Sequence, residues 1–307
     1  MNKSFHITMV LVLAFALSGL FVTFCTQSVE NHNIGEEVVN DDEILKEFQT
    51  VGLLHNKVMA KVLDDFRNYE GDFENREDYF SFIEESLVNN LSKKDLLREM
   101  SSSKIRSLVV EELDRSQVSN KATSDNDQEY KSYLLSTAKE LKKQLNPSQM
   151  NILLQVEDFI ENSPTTEAMI ASLEMLNNSP EVQDLDYEDR WVIYTATSIG
   201  VESAHYWSTH FENWVDVLLH NKVSNSDYQK RTDIEFLDSA NWFSGRRMIN
   251  ADIAGGISGA TGGCLGGMIL GGPGGCGAGA ASGGLIGAAA GSVGNAAKQI
   301  LEEYNPH

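Results

Sequence analysis

Glycine recurs at every fourth position over the C-terminal part of the chain. Residues four apart stack along one ridge of an α-helix, so the repeat would leave a bare ridge where a second backbone can approach closely. One G-x-x-x-G carries little information, but a repeat of this length predicts helices that pack through their backbones. We call these residues the glycine ladder: Gly255, Gly259, Gly263, Gly267, Gly271, Gly275, Gly279, Gly283, Gly287 and Gly291.

The ladder lies in a segment without charge. Asp252 and Lys298 enclose residues 253–297, none of which is charged. In a water-exposed helix each glycine costs about 1 kcal/mol relative to alanine, so an isolated helix of this composition would not form in water. In lipid, unpaired backbone groups are costly enough to enforce a helix. The segment is therefore expected to be helical wherever water is excluded.

Pro273 lies in the middle of the glycine-rich stretch 271–275, which predicts a break between two helical arms, 253–270 and 276–297. Both arms have a length that spans a bilayer. Each is only weakly hydrophobic, so insertion would require the arms to pair as a hairpin or between chains. The aromatic residues at 242–243 and the arginines at 246–247 are candidate anchors at a membrane interface.

The ladder resembles a glycine zipper, a pattern found in membrane-associated and pore-forming segments. The resemblance implies membrane lipid as a partner and self-association through the ladder. Two other interpretations remain open. The segment could be a flexible glycine-rich linker, or a helical hairpin buried within a soluble protein.

The rest of the chain is acidic. The formal net charge is −21, and nearly all charged residues lie between Glu30 and Asp252. Nucleic-acid binding requires basic patches that neutralise phosphates, so nucleic acid is not an expected partner. The excess of carboxylates also disfavours electrostatic docking on anionic lipid. Any membrane contact must therefore be apolar.

The first 25 residues follow the pattern of a secretory signal peptide, with Lys3 ahead of an apolar run from Ile7 to Phe24. A retained N-terminal anchor is the alternative. The sequence at 22–25 resembles a bacterial lipobox, which would make Cys25 the lipidated first residue. Phe24 stands where a small residue is usual, so ordinary cleavage nearby is equally compatible. Residues 26–40 are expected to be a flexible linker.

Two further cysteines, Cys264 and Cys276, lie within the glycine-rich segment. They could form a disulfide in an oxidising compartment. The preferred interpretation is that they are two small apolar side chains on packed helices.

Residues 41–250 predict an acidic, all-α domain. Apolar residues recur at helical spacing over 41–68, 79–91 and 187–221, and no segment alternates as a strand would. Pro147 and Pro164 each suit the first turn of a helix, and Ser179-Pro180 is expected to close a short helix over about 164–177. Ser92, with Asp95 three residues on, suggests a helix start, and 119–128 a loop. The predicted fold class is all-α, with an irregular helical body, a glycine-rich hairpin at 251–297 and a polar tail at 298–307.

The densest cluster of reactive side chains is at 202–214. Glu202 and His205 share a helical face and match half of a di-iron motif, but no second Glu-x-x-His exists. We therefore expect no metal site, no cofactor and no catalytic residue. The aromatic residues of this cluster predict a stripe that faces the core, and a ligand groove is the less simple alternative. These residues are Tyr206, Trp207, Phe211 and Trp214.

Helix spacing over 140–215, with the stretches 197–200 (TSIG) and 206–207 (YW), loosely resembles uncharacterised exported proteins of Bacteroidota-type bacteria. That resemblance implies a source and no activity. The leading hypothesis is an exported, non-enzymatic cell-envelope protein whose hairpin mediates membrane insertion or self-association. The alternatives are a bacteriocin-like or pore-forming toxin precursor, and a soluble helical binding module or enzyme.

Overall fold

Every regular element in the part of the chain that the structure describes is helical. The computed structural model describes residues 41–71, 73, 75–118, 133–220 and 244–304. The predicted all-α class is confirmed. The helices are α1 (Asp41–Arg67), α2 (Arg76–Leu91), α3 (Ser102–Val118), α4 (Tyr133–Glu140), α5 (Pro147–Asn162), α6 (Thr166–Asn177), α7 (Pro180–Gln183), α8 (Tyr187–His220) and α9 (Gly245–Tyr304), with short 3₁₀ turns at Asp95–Leu97 and Leu141–Lys143.

Several predictions from the sequence fall outside these residues. They concern the signal peptide at 1–25, lipidation of Cys25, the linker at 26–40, the loop at 119–128 and the aromatic anchors at 242–243.

Helix starts in the body follow the predicted proline and cap signals. The Asn146 side chain accepts a hydrogen bond from the backbone of Gln149, whose side chain bonds back to the cap, so α5 begins with a full capping box. Near Pro180 the preceding helix α6 ends at Asn177, as predicted, and Ser179 in addition caps the start of the short helix α7, which was not predicted. Thr165 caps α6, which therefore begins two residues after the predicted proline. These side chains satisfy backbone donors that a helix start leaves unpaired.

Ser92 does not begin a helix, so that prediction was wrong. It ends α2, donating its backbone N–H to the carbonyl of Val88, and α3 begins only at Ser102. The reason lies in the neighbouring leucines. Leu91 and Leu97 are both fully buried, whereas on one continuous helix they would point about 120° apart. A turn between them lets both face the core.

The C-terminal helix α9 is broken at Gly272 and folds back as a hairpin, as predicted. Gly272 has φ 64° and ψ −154°, a conformation that glycine adopts without steric cost. The break separates a first arm, Gly245–Gly272, from a second arm, Gly275–Gln299. By length and composition alone, each arm is long and apolar enough to cross a membrane. Helical structure begins before residue 251 and continues past residue 298 to Tyr304.

The hairpin packs inside the helical body. It contacts α8 and α3 most extensively, followed by α4, α2 and α5. In the first arm, 50% of the most apolar 18-residue window is buried. In the second arm, 89% of the corresponding window is buried. The described residues from Asp42 onwards belong to one compact unit.

One stripe of α8 lies along the hairpin through glycines that do not belong to the ladder. Trp191 and Thr195 are one helical turn apart on α8. A Cβ added to Gly277 would lie 2.1 Å from the Trp191 ring, and one added to Gly284 would lie 2.5 Å from the Thr195 methyl group. These glycines therefore form the surface into which α8 packs.

Asp252, in the first arm, is fully buried and held by polar groups of the body. Its Oδ2 accepts hydrogen bonds from Ser203 Oγ and from Trp207 Nε1, the latter at 2.9 Å. His55 Nε2, from α1, lies 3.6 Å from the same oxygen. A buried carboxylate is tolerated only when donors replace its lost water. This network fixes the hairpin against α1 and α8.

Arg246 is not the membrane-interface anchor that its position suggests. The side chain is buried, and its guanidinium donates to the backbone carbonyls of Ile160 and Ser163 at the end of α5. Helix ends leave carbonyls unpaired, and a buried arginine satisfies two of them here.

Asp252→Ala and Asp252→Asn test the buried network. The alanine variant leaves the donors of Ser203 and Trp207 unpaired and should lower the free energy of unfolding by about 2–4 kcal/mol. The asparagine variant keeps an acceptor oxygen and should lose less than half as much. Urea unfolding of the full chain, followed by tryptophan fluorescence, measures both. Equal losses would contradict this account of the network.

Candidate functional site: the glycine hairpin and its apex

The ladder glycines of the two arms face one another in antiparallel register. A Cβ added to the first-arm glycine of each pair would lie between 1.9 and 2.1 Å from the carbonyl oxygen of its partner. Real Cβ atoms essentially never come within 3.0 Å of another atom in this way. The arms therefore touch backbone to backbone, and only glycine fits between them. The pairs are Gly255–Gly287, Gly259–Gly283, Gly263–Gly279 and Gly267–Gly275.

The other two ladder glycines mark the ends of this contact. At the base, a Cβ on Gly291 would lie 2.7 Å from the carbonyl oxygen of Ala251. At the turn, a Cβ added to Gly271 would have no atom within 4 Å apart from its own helical segment. Bare ridges have the same sequence pattern whether they pair within one chain or between chains. In this structure they pair within the chain.

Cys264 and Cys276 form a disulfide across the two arms. This corrects the preferred interpretation of two reduced cysteines. Their Cα atoms lie 3.8 Å apart. The neighbouring ladder pairs bring the two backbones into contact, which places the sulfurs within bonding reach. Spacing in the sequence could not show this, because it depends on the register of the hairpin.

The apex of the hairpin, residues 262–279, exposes a run of large apolar side chains. Ile269 is 85% and Leu270 is 90% exposed, and Leu265 and Met268 are about half as exposed. No residue of the apex is charged. Large apolar side chains that cluster on a surface commonly mark a binding site for protein or lipid. The apex is therefore the part of the hairpin that is available to a partner.

The buried network at the base of the hairpin contains the residue types of a hydrolytic triad but not its geometry. In such a triad a histidine lies between the serine and the carboxylate. Here Asp252 lies between Ser203 and His55, because both side chains approach the same Oδ2. All three side chains are fully buried, so a substrate has no access to Ser203. The arrangement is structural.

Glu202 and His205 do not converge on a metal site. Glu202 Oε2 accepts a weak hydrogen bond from Asn56 Nδ2 at 3.4 Å, and the His205 side chain is exposed. Burial raises the pKa of the Glu202 carboxyl, and nearby His205 and His55 oppose that rise. Within the described ranges no group of three metal-ligating side chains occurs.

The aromatic cluster of α8 faces the core rather than an open groove. Tyr206, Trp207, Phe211 and Trp214 are each at most 5% exposed. Trp214 Nε1 donates to the hydroxyl of Tyr206 at 2.9 Å, and the rings of Trp207 and Trp214 lie 5.5 Å apart. Burial raises the pKa of the Tyr206 hydroxyl, which therefore stays protonated. The simpler of the two sequence interpretations describes these residues.

A second polar cluster joins α3 and α4 to the first arm. The Glu112 carboxylate accepts hydrogen bonds from Tyr133 Oη, at 2.6 Å, and from Arg115. Arg115 also donates to Ser258 Oγ of the hairpin. Burial raises the pKa of the Glu112 carboxyl, while Arg115 and the Tyr133 hydroxyl oppose that rise. Like the Asp252 network, this cluster lies towards the base of the hairpin.

No protein-family model matches the chain, and no curated protein or solved structure is significantly similar to it. The resemblance of residues 140–215 to exported Bacteroidota-type proteins gains no support from these comparisons. The case for a function therefore depends on the hairpin and its apex.

Adjacent glycines provide a matched test of the ladder. Gly263→Ala would place a Cβ 2.0 Å from the Gly279 carbonyl oxygen and should lower the free energy of unfolding by about 3 kcal/mol. Gly262→Ala has no atom within 4 Å of its new Cβ and should raise that free energy by about 0.5–1 kcal/mol through helix propensity. Urea unfolding compares them. The same sign for both variants would contradict the close contact.

Proposed function

We propose that this protein is an exported, non-enzymatic cell-envelope protein that binds a lipid bilayer through the apex of its C-terminal hairpin. The single observation that carries the proposal is the exposure of Ile269 and Leu270 at the tip of an uncharged hairpin. Burying two such side chains in lipid is favourable, whereas their exposure to water is not.

Charge and chemistry of the chain support lipid rather than nucleic acid as the partner. The body is strongly acidic, and residues 253–297 carry no charge. Contact with a membrane would therefore be apolar, through the hairpin. The signal-like sequence at 1–25 and the disulfide between Cys264 and Cys276 both fit an exported protein, because disulfides persist in oxidising compartments.

Self-association through the ladder would require the two arms to separate. Each glycine pair from 255–287 to 267–275 is already in contact within the chain. A pore-forming toxin would likewise require both arms to leave the body. For these reasons we place the lipid contact at the apex, which is already exposed, and not on the ladder.

A second candidate function is favoured by the burial of the second arm. The most apolar window of the second arm is 89% buried, as is typical of a core helix in a soluble protein. In that case the chain would be a soluble binding module, and its apex would contact a protein instead of lipid. The two candidates differ in whether the full chain binds protein-free vesicles.

Charge at the apex should strongly weaken vesicle binding. At the membrane centre, aspartate costs about 3 kcal/mol and isoleucine or leucine contributes about 0.5 kcal/mol. Replacing both residues in Ile269→Asp/Leu270→Asp should therefore weaken the binding of the full chain to vesicles at least ~100-fold. Co-flotation with vesicles of zwitterionic lipid measures the bound fraction.

The matched control adds the same charges elsewhere on the surface. Leu154 and Met175 are exposed apolar residues of α5 and α6. Leu154→Asp/Met175→Asp should bind vesicles as the wild type does. Unchanged binding of the apex variant, or no binding by the wild type, would contradict the proposed function.

A further inference from the structure

We infer that the hairpin enters only one leaflet of a bilayer of zwitterionic lipid, with the helical body closed and resting on the membrane surface. This inference rests on the proposed function. It specifies how deeply the apex enters the bilayer and which class of lipid it binds. It departs from the sequence-based expectation that each arm spans the whole bilayer.

The length of the exposed apex sets the depth. Residues 244–261 are almost entirely buried in the body, and exposure begins at Gly262. On the side of α8, Trp191 packs as far as Gly277, which lies opposite Leu265 in the hairpin register. At about 1.5 Å per residue, the first arm protrudes about 16 Å from Gly262, or about 12 Å from Leu265, to Gly272. One leaflet contributes about 15 Å of hydrocarbon, and the full core about 30 Å.

Polar anchors hold the remainder of the hairpin inside the body. They are confined to the base of the two arms. To span a bilayer, these side chains would have to leave their partners and enter hydrocarbon, which is costly for charged groups. The anchors, each bonded to a residue of the body outside the hairpin, are Arg246, Asn250, Asp252, Ser258 and Lys298.

The disulfide keeps the apex a single wedge. Cys264 and Cys276 connect the arms within the apex, between the ladder pairs Gly263–Gly279 and Gly267–Gly275. With the arms joined there and in backbone contact on both sides, the tip cannot open as it enters lipid. The apolar side chains from Leu265 to Leu270 therefore enter together.

The surface beside the apex selects the lipid. Trp191, which contacts the hairpin at Gly277, lies in the first turns of α8, directly after a cluster of carboxylates. Negative charge beside the insertion site repels anionic headgroups. The carboxylates are Asp184, Asp186, Glu188 and Asp189, which outnumber the one cation of this stretch, Arg190, whose guanidinium donates to the backbone carbonyls of Gln183 and Leu185.

An indole introduced at the tip measures the depth. Ile269→Trp places it at an exposed position, and the wild type corrects for the native tryptophans. On zwitterionic vesicles, lipids brominated near the end of the acyl chain should quench the introduced indole about twofold more than lipids brominated near the headgroup. Iodide, added outside or trapped inside the vesicles, should not quench it. Leu154→Trp, on the body, should stay accessible to external iodide.

Three results would overturn the inference. Quenching of the tip indole by iodide trapped inside the vesicles would show that the hairpin crosses the bilayer. Quenching of the tip indole by external iodide, while the protein is bound to vesicles, would show that the apex lies outside the bilayer. Neither result would contradict lipid binding itself. Absence of vesicle binding would overturn both the inference and the proposed function.

Lipid preference provides an independent test. Replacing part of the zwitterionic lipid with anionic lipid should weaken binding about tenfold at low salt, and salt should remove the difference. Tighter binding to anionic vesicles would contradict the assignment of the lipid. Amide exchange in α8 should stay as slow on vesicles as in solution, and rapid exchange there would contradict a closed body.

Discussion

Backbone-to-backbone contact between the two arms of the hairpin is the constraint on which the rest of the structure depends. Four glycine pairs, from Gly255–Gly287 to Gly267–Gly275, leave no room for a Cβ on either side. Glycine weakens a helix in water, because it exposes the backbone and has the most conformational freedom to lose. Each arm therefore depends for its stability on contact with the other arm and, over most of its length, with the body. The acidic helices of the body supply that contact, and the polar clusters around Asp252 and Glu112 fix the hairpin among them.

This arrangement leaves one part of the hairpin outside the body. The base is enclosed by α8 and α3, and polar groups hold it there. The apex is closed by a disulfide and presents Ile269 and Leu270 to solvent. The same ladder therefore has two consequences. It makes the hairpin thin enough to be packed inside a helical body, and it lets an uncharged tip project from that body as a single unit.

The sequence predicts the helices well and the assembly of the hairpin less well. Apolar spacing and proline signals locate α1, α5 and α8 within a few residues, because they depend on local physics. The break near Pro273 follows from the same local rules. The ladder predicts close helix packing, but not whether the partner is the other arm or another chain. The roles of Arg246, Asp252 and the cysteines depend on residues far away in the sequence. Gly277 and Gly284 pack against side chains of α8 but are not among the glycines that recur at every fourth position. No sequence pattern therefore predicts their contacts.

Contact between the arms is tested most directly by NMR of the full chain with ¹³C-labelled glycine. Nuclear Overhauser effects should connect the Hα protons of Gly259 with those of Gly283, and those of Gly263 with those of Gly279, because their backbones touch in the structure. They should persist when labelled protein is diluted with unlabelled protein, since the contact lies within one chain. Absence of these effects, or their loss on dilution, would contradict the account.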